Sequence, residues 1–424
     1  MLRGPRCNVT FVMDDQKNKN LSETLFAKHH QAKETSSLVQ YMPSSESILE
    51  LRPEHKWYRN LRRLQWIWQG VDAIEQEQIL ARIASSPNSR TNDDVLDTVL
   101  GFRKGNWAYE WTHVGMQHQK RASQLQGEEA SLALYKASLY FSIAAYPHIR
   151  GDNLASQAQV LANKAYEEAS KKSQYTFKQL KIPYQGKSIE ANLHLPHTDR
   201  PLPVVIVCGG LDSLQTDMWK LFLDYLAPNE FAMLTIDMPS MGKNSQWSLT
   251  EDASVLHKAV LDHLPEVPYI DHWNVGLLGF RFGGNALIRL SFLEQKRIKA
   301  CVALGAPVHD ALSSSEKIKG MPKMYLDVLG SRLGKTAVDI QSLALQMSAW
   351  SLKMQGLLGS RKTKVPILAV SLEGDPIAPH SDNRLIALSS QYGKAVQIPC
   401  ENLSQGYEKS LDLAIEWMIT ELKS

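Results

Sequence analysis

The spacing of apolar residues changes character near Tyr175 and divides the chain in two. From Lys56 to about Ser173 the spacing is helical. Tyr58, Leu61, Leu64, Ile67 and Trp68 form one stripe, with Arg59, Arg62 and Arg63 mostly on other faces. Ser86-Pro87-Asn88-Ser89 reads as a loop, and Asn92-Asp93-Asp94 as an N-cap cluster that opens a further helix. Trp107, Tyr109 and Trp111 open the next. Gln126 to Tyr146 is a long helix rich in Ala and Leu, stopped by Pro147, and Asn153 to Lys172 is the one after. The aromatic cluster reads as packing, with a protein-docking surface as the alternative. The three arginines read as a solvated face, with a binding patch as the alternative. Ahead of this region lie a modest amphipathic stretch, Leu21 to His30, and a Ser-rich segment.

Beyond Tyr175 the period falls to two. Phe177 to Ile182 and Ser188 to Leu195 alternate as the arms of a hairpin. Short, continuously apolar runs follow at Val204–Val207, Phe231–Ile236, Asn274–Leu278, Ile298–Leu304, Ile367–Leu372 and Ala395–Ile398. Such runs are expected of parallel strands buried on both faces. Helical patterns at Glu251–Leu264 and Tyr407–Leu422 lie among them, so the second part predicts an open, mostly parallel sheet flanked by helices. About 57 residues between Pro307 and Val365 read as helices only. They have the place and size of a lid over the carboxyl edge of the sheet, where open α/β folds bind ligands. The predicted organisation is residues 1–20 as a disordered stretch or an extension upstream of the true start, 21–173 as an all-helical domain, and 174–424 as an α/β domain with a helical lid at about 308–364. Met13, followed by Asp-Asp-Gln-Lys, is a natural start and would make residues 1–12 the extension.

Composition narrows the class. The 424 residues leave room for two or three domains, and 43% apolar with 21% charged residues is ordinary for a soluble globular chain. A formal net charge of +3 gives no electrostatic argument for nucleic acid or an anionic membrane. No apolar run approaches the ~18–20 residues of a membrane span, and Met1 to Cys7 lacks the apolar core of a signal peptide. Cys7, Cys208, Cys301 and Cys400 show no metal-ligand spacing, and Cys208 and Cys301 fall in predicted central strands as small hydrophobes. That usage fits a reducing cytoplasm, and no metal or cofactor is expected.

Candidate chemistry centres on Gly279-Phe280-Arg281-Phe282-Gly283-Gly284. A strand, a tight Gly-rich turn and a helix start are the setting of the nucleophile elbow of α/β hydrolases, G-x-S-x-G, yet Arg281 stands where the serine belongs. A serine hydrolase also needs an acid and then a histidine, in that order. Glu373-Gly374-Asp375-Pro376-Ile377-Ala378-Pro379 ends a strand and offers Asp375 as the acid. The histidine is missing: Tyr407 occupies the expected place, and His380 follows Asp375 too closely. Cys208-Gly209-Gly210-Leu211-Asp212-Ser213 reads either as an oxyanion loop, with Phe282 N–H as a second donor, or as a plain strand–helix connection. Ser213 and Ser240 are candidate displaced nucleophiles without an obvious histidine. A guanidinium stays protonated and serves as neither nucleophile nor base. Two readings of Arg281 therefore stand: an ion pair with Asp375 or Asp237 that replaces the triad structurally, and an anion or carboxylate site at the pocket floor.

Several longer runs carry a family resemblance: Asn20-Leu21-Ser22-Glu23-Thr24-Leu25-Phe26, Trp57-Tyr58-Arg59-Asn60-Leu61-Arg62-Arg63-Leu64-Gln65-Trp66, Gly209 through Trp219, Gly279 through Asn285, and Leu372-Glu373-Gly374-Asp375-Pro376. In these the chain resembles the FrsA family, the fermentation/respiration switch proteins of gamma-proteobacteria, over nearly its whole length from about Leu21. The resemblance implies a helical N-terminal domain joined to an α/β-hydrolase domain and a cytoplasmic carboxylesterase acting on small-molecule esters. It also implies docking of the glucose-specific IIA component of the phosphotransferase system. A cofactor-free pyruvate decarboxylase role is also attached to the family. The residues support the fold. They show no Ser–His pair for ester hydrolysis and no electron sink for decarboxylation. Arg281, Asp375 and Tyr407 are thus the expected catalytic positions, and Gly209, Gly210, Leu211 and Phe282 the expected ligand-binding ones. The function expected is a weak or non-standard ester hydrolase, with a regulatory module or a 2-oxo acid lyase as alternatives.

Overall fold

The computed structural model describes residues 56–335, 339–375, 377–399 and 403–423. The predicted extension, the Leu21–His30 stretch, the Asn20–Phe26 run, Pro376, Cys7 and Cys400 lie outside these residues. The first part is helical: α1 (Arg63–Gln69), α2 (Ala73–Ala84), α3 (Trp107–Ala122), α4 (Gly127–Ala145) and α5 (Asn153–Lys172). Asp72, Asn106 and Asp152 cap α2, α3 and α5 through their side chains, each accepting N–H groups that the helix cannot satisfy itself. Helix α4 is buried at most positions from Ala130 to Ala145, which explains its apolar character on every face. Trp66, Trp107 and Trp111 pack ring against ring at 5.6–6.1 Å, as the packing reading of the aromatic cluster expects.

Three local expectations in this part are corrected. The stripe from Tyr58 does not begin a helix at Lys56; α1 starts only at Arg63. The reason is Asp97, whose buried carboxylate accepts the N–H groups of Tyr58 at 2.8 Å and Arg59 at 3.1 Å and holds this stretch out of helical geometry. Asn92-Asp93-Asp94 opens no helix either. Asn92 Oδ1 takes the Asp94 N–H at 3.0 Å, and the segment closes into turns. Nor do the arginines form a solvated face: Arg59 is buried and paired with Asp97 at 2.9 Å, and Arg62 is 14% exposed. No Asp or Glu lies between His55 and Val71, so these cations had to find partners far along the chain.

The second part is one eight-stranded sheet in the order β1-β2-β4-β3-β5-β6-β7-β8. Its strands are β1 (Thr176–Tyr184), β2 (Lys187–Leu195), β3 (Leu202–Cys208), β4 (Ala232–Ile236), β5 (Ile270–Phe280), β6 (Ala300–Leu304), β7 (Ile367–Leu372) and β8 (Gly393–Ile398). The β1–β2 hairpin is antiparallel and joins β4 antiparallel; all remaining pairs are parallel. Helices α6 (Val255–His263), α7 (Phe282–Leu293), α8 (Lys323–Arg332), α9 (Ile340–Ser348), α10 (His380–Leu388) and α11 (Leu403–Leu422) complete the chain, with shorter turns between. Each inner strand is buried on both faces and separates two apolar layers. Cys208 and Cys301 lie in these layers as free thiols, and burial pushes the Cys301 thiol up to about 12. Among the described residues no helix is long and apolar enough to cross a membrane, and no cluster of His, Cys, Asp and Glu could hold a metal ion.

Candidate functional site

The strand order sets the site. Strands β3, β5, β6 and β7 are neighbours and parallel, so the residues that follow them meet at one carboxyl edge. These are Gly209–Gly210 after β3, Arg281 after β5, Gly305 after β6 and Asp375 after β7. Arg281 sits at φ +52° and ψ −126°, a strained backbone that glycine would adopt more readily. The residues two places to either side must be glycine. A Cβ on Gly279 would lie 2.4 Å from Gly284 Cα, and one on Gly283 would lie 2.3 Å from the Gly209 carbonyl oxygen. The elbow therefore folds onto the end of β3, and only hydrogen atoms fit between.

Arg281 Nη1 donates to Asp375 Oδ2 in a direct ion pair, which settles the choice between Asp375 and Asp237. The carboxylate is 1% exposed and the guanidinium 22%. Asp375 Oδ1 accepts the N–H groups of Ile377 at 2.9 Å and Ala378 at 3.2 Å, so both carboxylate oxygens are engaged. Gly305, at φ +63°, leaves space for the guanidinium; a Cβ there would lie 3.0 Å from Nη1. Burial alone would weaken the Arg281 charge, but the adjacent Asp375 carboxylate outweighs it and raises the pKa. Among the described residues no acceptor takes the other guanidinium N–H groups. Asp237 is occupied elsewhere, accepting the Gln215 N–H at 2.7 Å and the Lys243 N–H at 3.0 Å.

Two cavities meet at Arg281. The larger, about 400 Å³, is lined on the helical side by Arg62, Trp68 and Gln69 of the α1 region and on the sheet side by Gly210, Arg281, Gly305, Asp375 and Tyr407. Its size is that of a small-molecule site. The smaller, about 70 Å³, is apolar and lined by Leu211, Phe282, Leu312, Met321, Val328 and Met347, among others. Arg62, Asp212, Arg281 and Tyr325 line both and form the partition. Within it Arg62 pairs with Asp212. Arg332, buried behind Leu211, donates to the carbonyls of Leu211 (2.9 Å) and His148 (2.8 Å), and burial lowers its pKa to about 10.

The structure thus brings Arg281, Asp375, Tyr407, Gly210, Leu211 and Phe282 to the two cavities. Tyr407, on the first turns of α11, has its phenol raised by burial, with Arg281 and Arg62 pulling it back. Phe282 is the first residue of α7, where an N–H has no acceptor within its helix. Two predicted loop donors fare differently. The Gly210 N–H is already given to Ser213 Oγ at 3.0 Å, and Gly209 is pressed against Gly283. Ser213 is thereby an acceptor in a turn, and Ser240 is buried at φ +73° with no described hydrogen-bond partner. His380 begins α10 and lines neither cavity. A Ser–His pair does exist, His309 Nδ1 with Ser351 Oγ at 2.8 Å, but Ser351 is fully buried, takes the Met354 N–H and lines neither cavity. Sequence reasoning missed Tyr325 and Asn60 as lining residues and left Arg62 as the alternative reading. For Arg62, the missing local carboxylates were the available signal.

A family model described as esterase FrsA-like matches residues 16–423. A Vibrio vulnificus protein named esterase FrsA is 65% identical over 413 residues, covering 97% of this chain and 100% of the relative. One of the same name from Photobacterium profundum is 49% identical over 418 residues, with the same shares covered. The solved structure of a 2,6-dihydroxy-pseudo-oxynicotine hydrolase is similar with a TM-score of 0.69 at 16% identity, covering 85% of this chain and 95% of its own. At that identity the likeness shows the fold alone, an α/β-hydrolase fold with a helical N-terminal region, as the elbow and the strand pattern predicted.

Proposed function

The chain belongs to the FrsA-like esterase family, and from that premise we propose that the cavity beside Arg281 binds the carbonyl end of a small carboxylic ester and promotes its hydrolysis without a serine nucleophile. One observation carries the reading. Arg281 occupies the elbow with one N–H held by Asp375 while its other N–H groups have no described acceptor at the junction of two cavities. A fixed cation there stabilises the negative charge that develops on a carbonyl oxygen. The Phe282 N–H, at the start of α7, is a second donor. Water supplies the nucleophile: its oxygen bonds to the carbonyl carbon, the bond to the alcohol oxygen breaks, and the shed proton ends on the departing alkoxide. Asp375 orients the guanidinium, and Tyr407 walls the cavity beside it. The apolar chamber takes the acyl or alkyl end, with the 308–364 insertion as its cover. Sites stripped of their nucleophile retain about 10³–10⁴-fold acceleration in a serine protease, so weak activity is the expected scale.

The test is hydrolysis of p-nitrophenyl acetate by the pure full-length protein. Arg281→Ala is expected to lower kcat/KM by about tenfold or more, the worth of a ~1.4 kcal/mol loss in transition-state binding. Unchanged turnover removes Arg281 from the chemistry. The fermentation–respiration switch, docking of the IIA component and 2-oxo acid decarboxylation draw no support from the residues of the site and stand outside this proposal.

A further inference from the structure

Tyr325 reaches the partition between the cavities from α8, within the insertion, and beside it lie groups from a segment more than two hundred residues earlier. Its phenol oxygen is approached by Asn60 Nδ2 at 2.8 Å and by Arg62 Nη2 at 3.3 Å. Both are donors. An arginine N–H can only donate, and the Asn60 amide is oriented to do the same. Arg62 is itself anchored by Asp212 and lies over the Tyr146 ring, 5.3 Å from its centroid, so its position is held. A tyrosine hydroxyl has one proton to give. With its oxygen accepting twice, the proton is the only hydrogen-bonding capacity left, and among the described residues nothing accepts it. Tyr325 lines both cavities together with Arg281.

We propose that the Tyr325 hydroxyl is a hydrogen-bond donor to the carbonyl oxygen of the bound ester, and that Asn60 and Arg62 are positioning residues that aim its proton into the site. The proposal rests on the ester reading above and adds to it a donor from the insertion. It also gives the lead-in to α1 a part in the chemistry, because Asn60 and Arg62, from the N-terminal part of the chain, set the hydroxyl orientation of a residue on the insertion. An ester carbonyl bound there meets a neutral O–H from Tyr325 and a charged N–H from Arg281. Binding on one side only would leave the second donor without an acceptor.

The orientation makes a sharp test. Tyr325→Phe removes the donor, and with it the oxygen that accepts from Asn60 and Arg62. Asn60→Asp replaces a donating amide by a carboxylate, which can only accept and therefore captures the Tyr325 proton. Asn60→Ala removes the partner but leaves the proton free. With p-nitrophenyl acetate, Tyr325→Phe and Asn60→Asp are each expected to lower kcat by roughly 10²-fold, the loss seen when one oxyanion donor is removed elsewhere. KM should rise too, but by less than about threefold, since the donor already holds the ground-state carbonyl and gains most as charge develops. Asn60→Ala should lose less than either. Wild-type kcat in Tyr325→Phe overturns the proposal, and so does an Asn60→Asp variant as active as Asn60→Ala. If Arg281→Ala is silent while Tyr325→Phe is impaired, the Arg281 assignment falls and this one stands. If the wild-type protein hydrolyses no ester, the ester reading fails. Butyramide, an unreactive carbonyl probe, then decides through its effect on the thermal midpoint. A smaller upward shift in Tyr325→Phe and Asn60→Asp than in wild type supports the donor, and equal shifts or none overturn it.

Discussion

The Arg281–Asp375 pair allows a quantitative test through a double-mutant cycle. Asp375→Asn keeps the side-chain shape, and its amide oxygen can still accept from Ile377 and Ala378, which bond to Oδ1 at 2.9 and 3.2 Å. The change therefore removes the charge that Arg281 meets and replaces the accepting oxygen with an amide NH2 that faces the guanidinium. Removing one partner of a buried pair costs about 3–5 kcal/mol, much of it the stranding of the survivor. In Asp375→Asn the survivor is a guanidinium 22% exposed to a cavity, so water recovers part of the loss, and the low end, about 3 kcal/mol, is expected. In Arg281→Met the survivor is a carboxylate 1% exposed, which places that variant nearer the middle, about 4 kcal/mol. Independent effects would sum to about 7 kcal/mol. The double variant strands no charge and is expected to lose less than either single variant, under about 3 kcal/mol, a coupling of about 4 kcal/mol or more. Urea unfolding followed by tryptophan fluorescence measures all four corners; the ten tryptophans report on both parts of the chain. Additivity within about 0.5 kcal/mol would refute the reasoning, because uncoupled residues add to that precision.

Two further outcomes follow from the packing. Gly279→Ala would place its Cβ 2.4 Å from backbone Gly284 Cα, so thermal stability should fall by about 3 kcal/mol or more, whereas Gly186→Ala, with nothing within 4 Å and φ +76°, should cost only about 1–2 kcal/mol. Equal losses in the two would show that the elbow is not close-packed. Burial holds the His194 imidazole down to about 3 from an ordinary 6.5, while Nε2 pairs with the Tyr166 hydroxyl at 2.9 Å. The unfolded chain takes up this proton as pH falls through 6.5 and the folded chain only near 3, so stability is lost across that window at up to about 1.4 kcal/mol per pH unit. His194→Gln keeps a polar partner for Tyr166 but cannot titrate, and should make the acid limb of stability against pH shallower by about that slope. An unchanged limb would mean that His194 charges in the folded protein.

Local rules carried far where local forces decide. The period-two arms of β1 and β2, the apolar runs of β3 to β7 and the helical stretches of α4 and α5 were legible because backbone sterics and burial act within a few residues. The same rules misled where a distant group intervened. Asp97 reaches back to the N–H groups of Tyr58 and Arg59 and delays α1, which the stripe of apolar positions could not reveal. Asn92 looked like a cap and became a turn. At the site, Asp375 was legible from its strand-end loop and Arg281 from the glycines around it. The engaged state of the Gly210 N–H was not, although Ser213, three residues on, was in plain view as a turn-forming hydroxyl.

By its own pattern the sequence determined the α/β-hydrolase architecture, a helical region before it, an elbow that must be glycine-flanked, and the loss of a serine–histidine pair at the elbow. These follow from residue identity: an arginine cannot lose its proton to become a nucleophile, and a Cβ cannot occupy the space between β3 and the elbow. Only the tertiary structure decided which carboxylate holds Arg281, since Asp375 and Asp237 each follow a strand two places from β5, and what separates them is that Asp237 is taken up by the N–H groups of Gln215 and Lys243 while Asp375 keeps an oxygen for the guanidinium. It also decided that Arg62, Asn60 and Tyr325 belong to the site. Asn60 and Tyr325 stand 265 positions apart, and a hydrogen bond between them exists only once the insertion and the helical region close over the sheet.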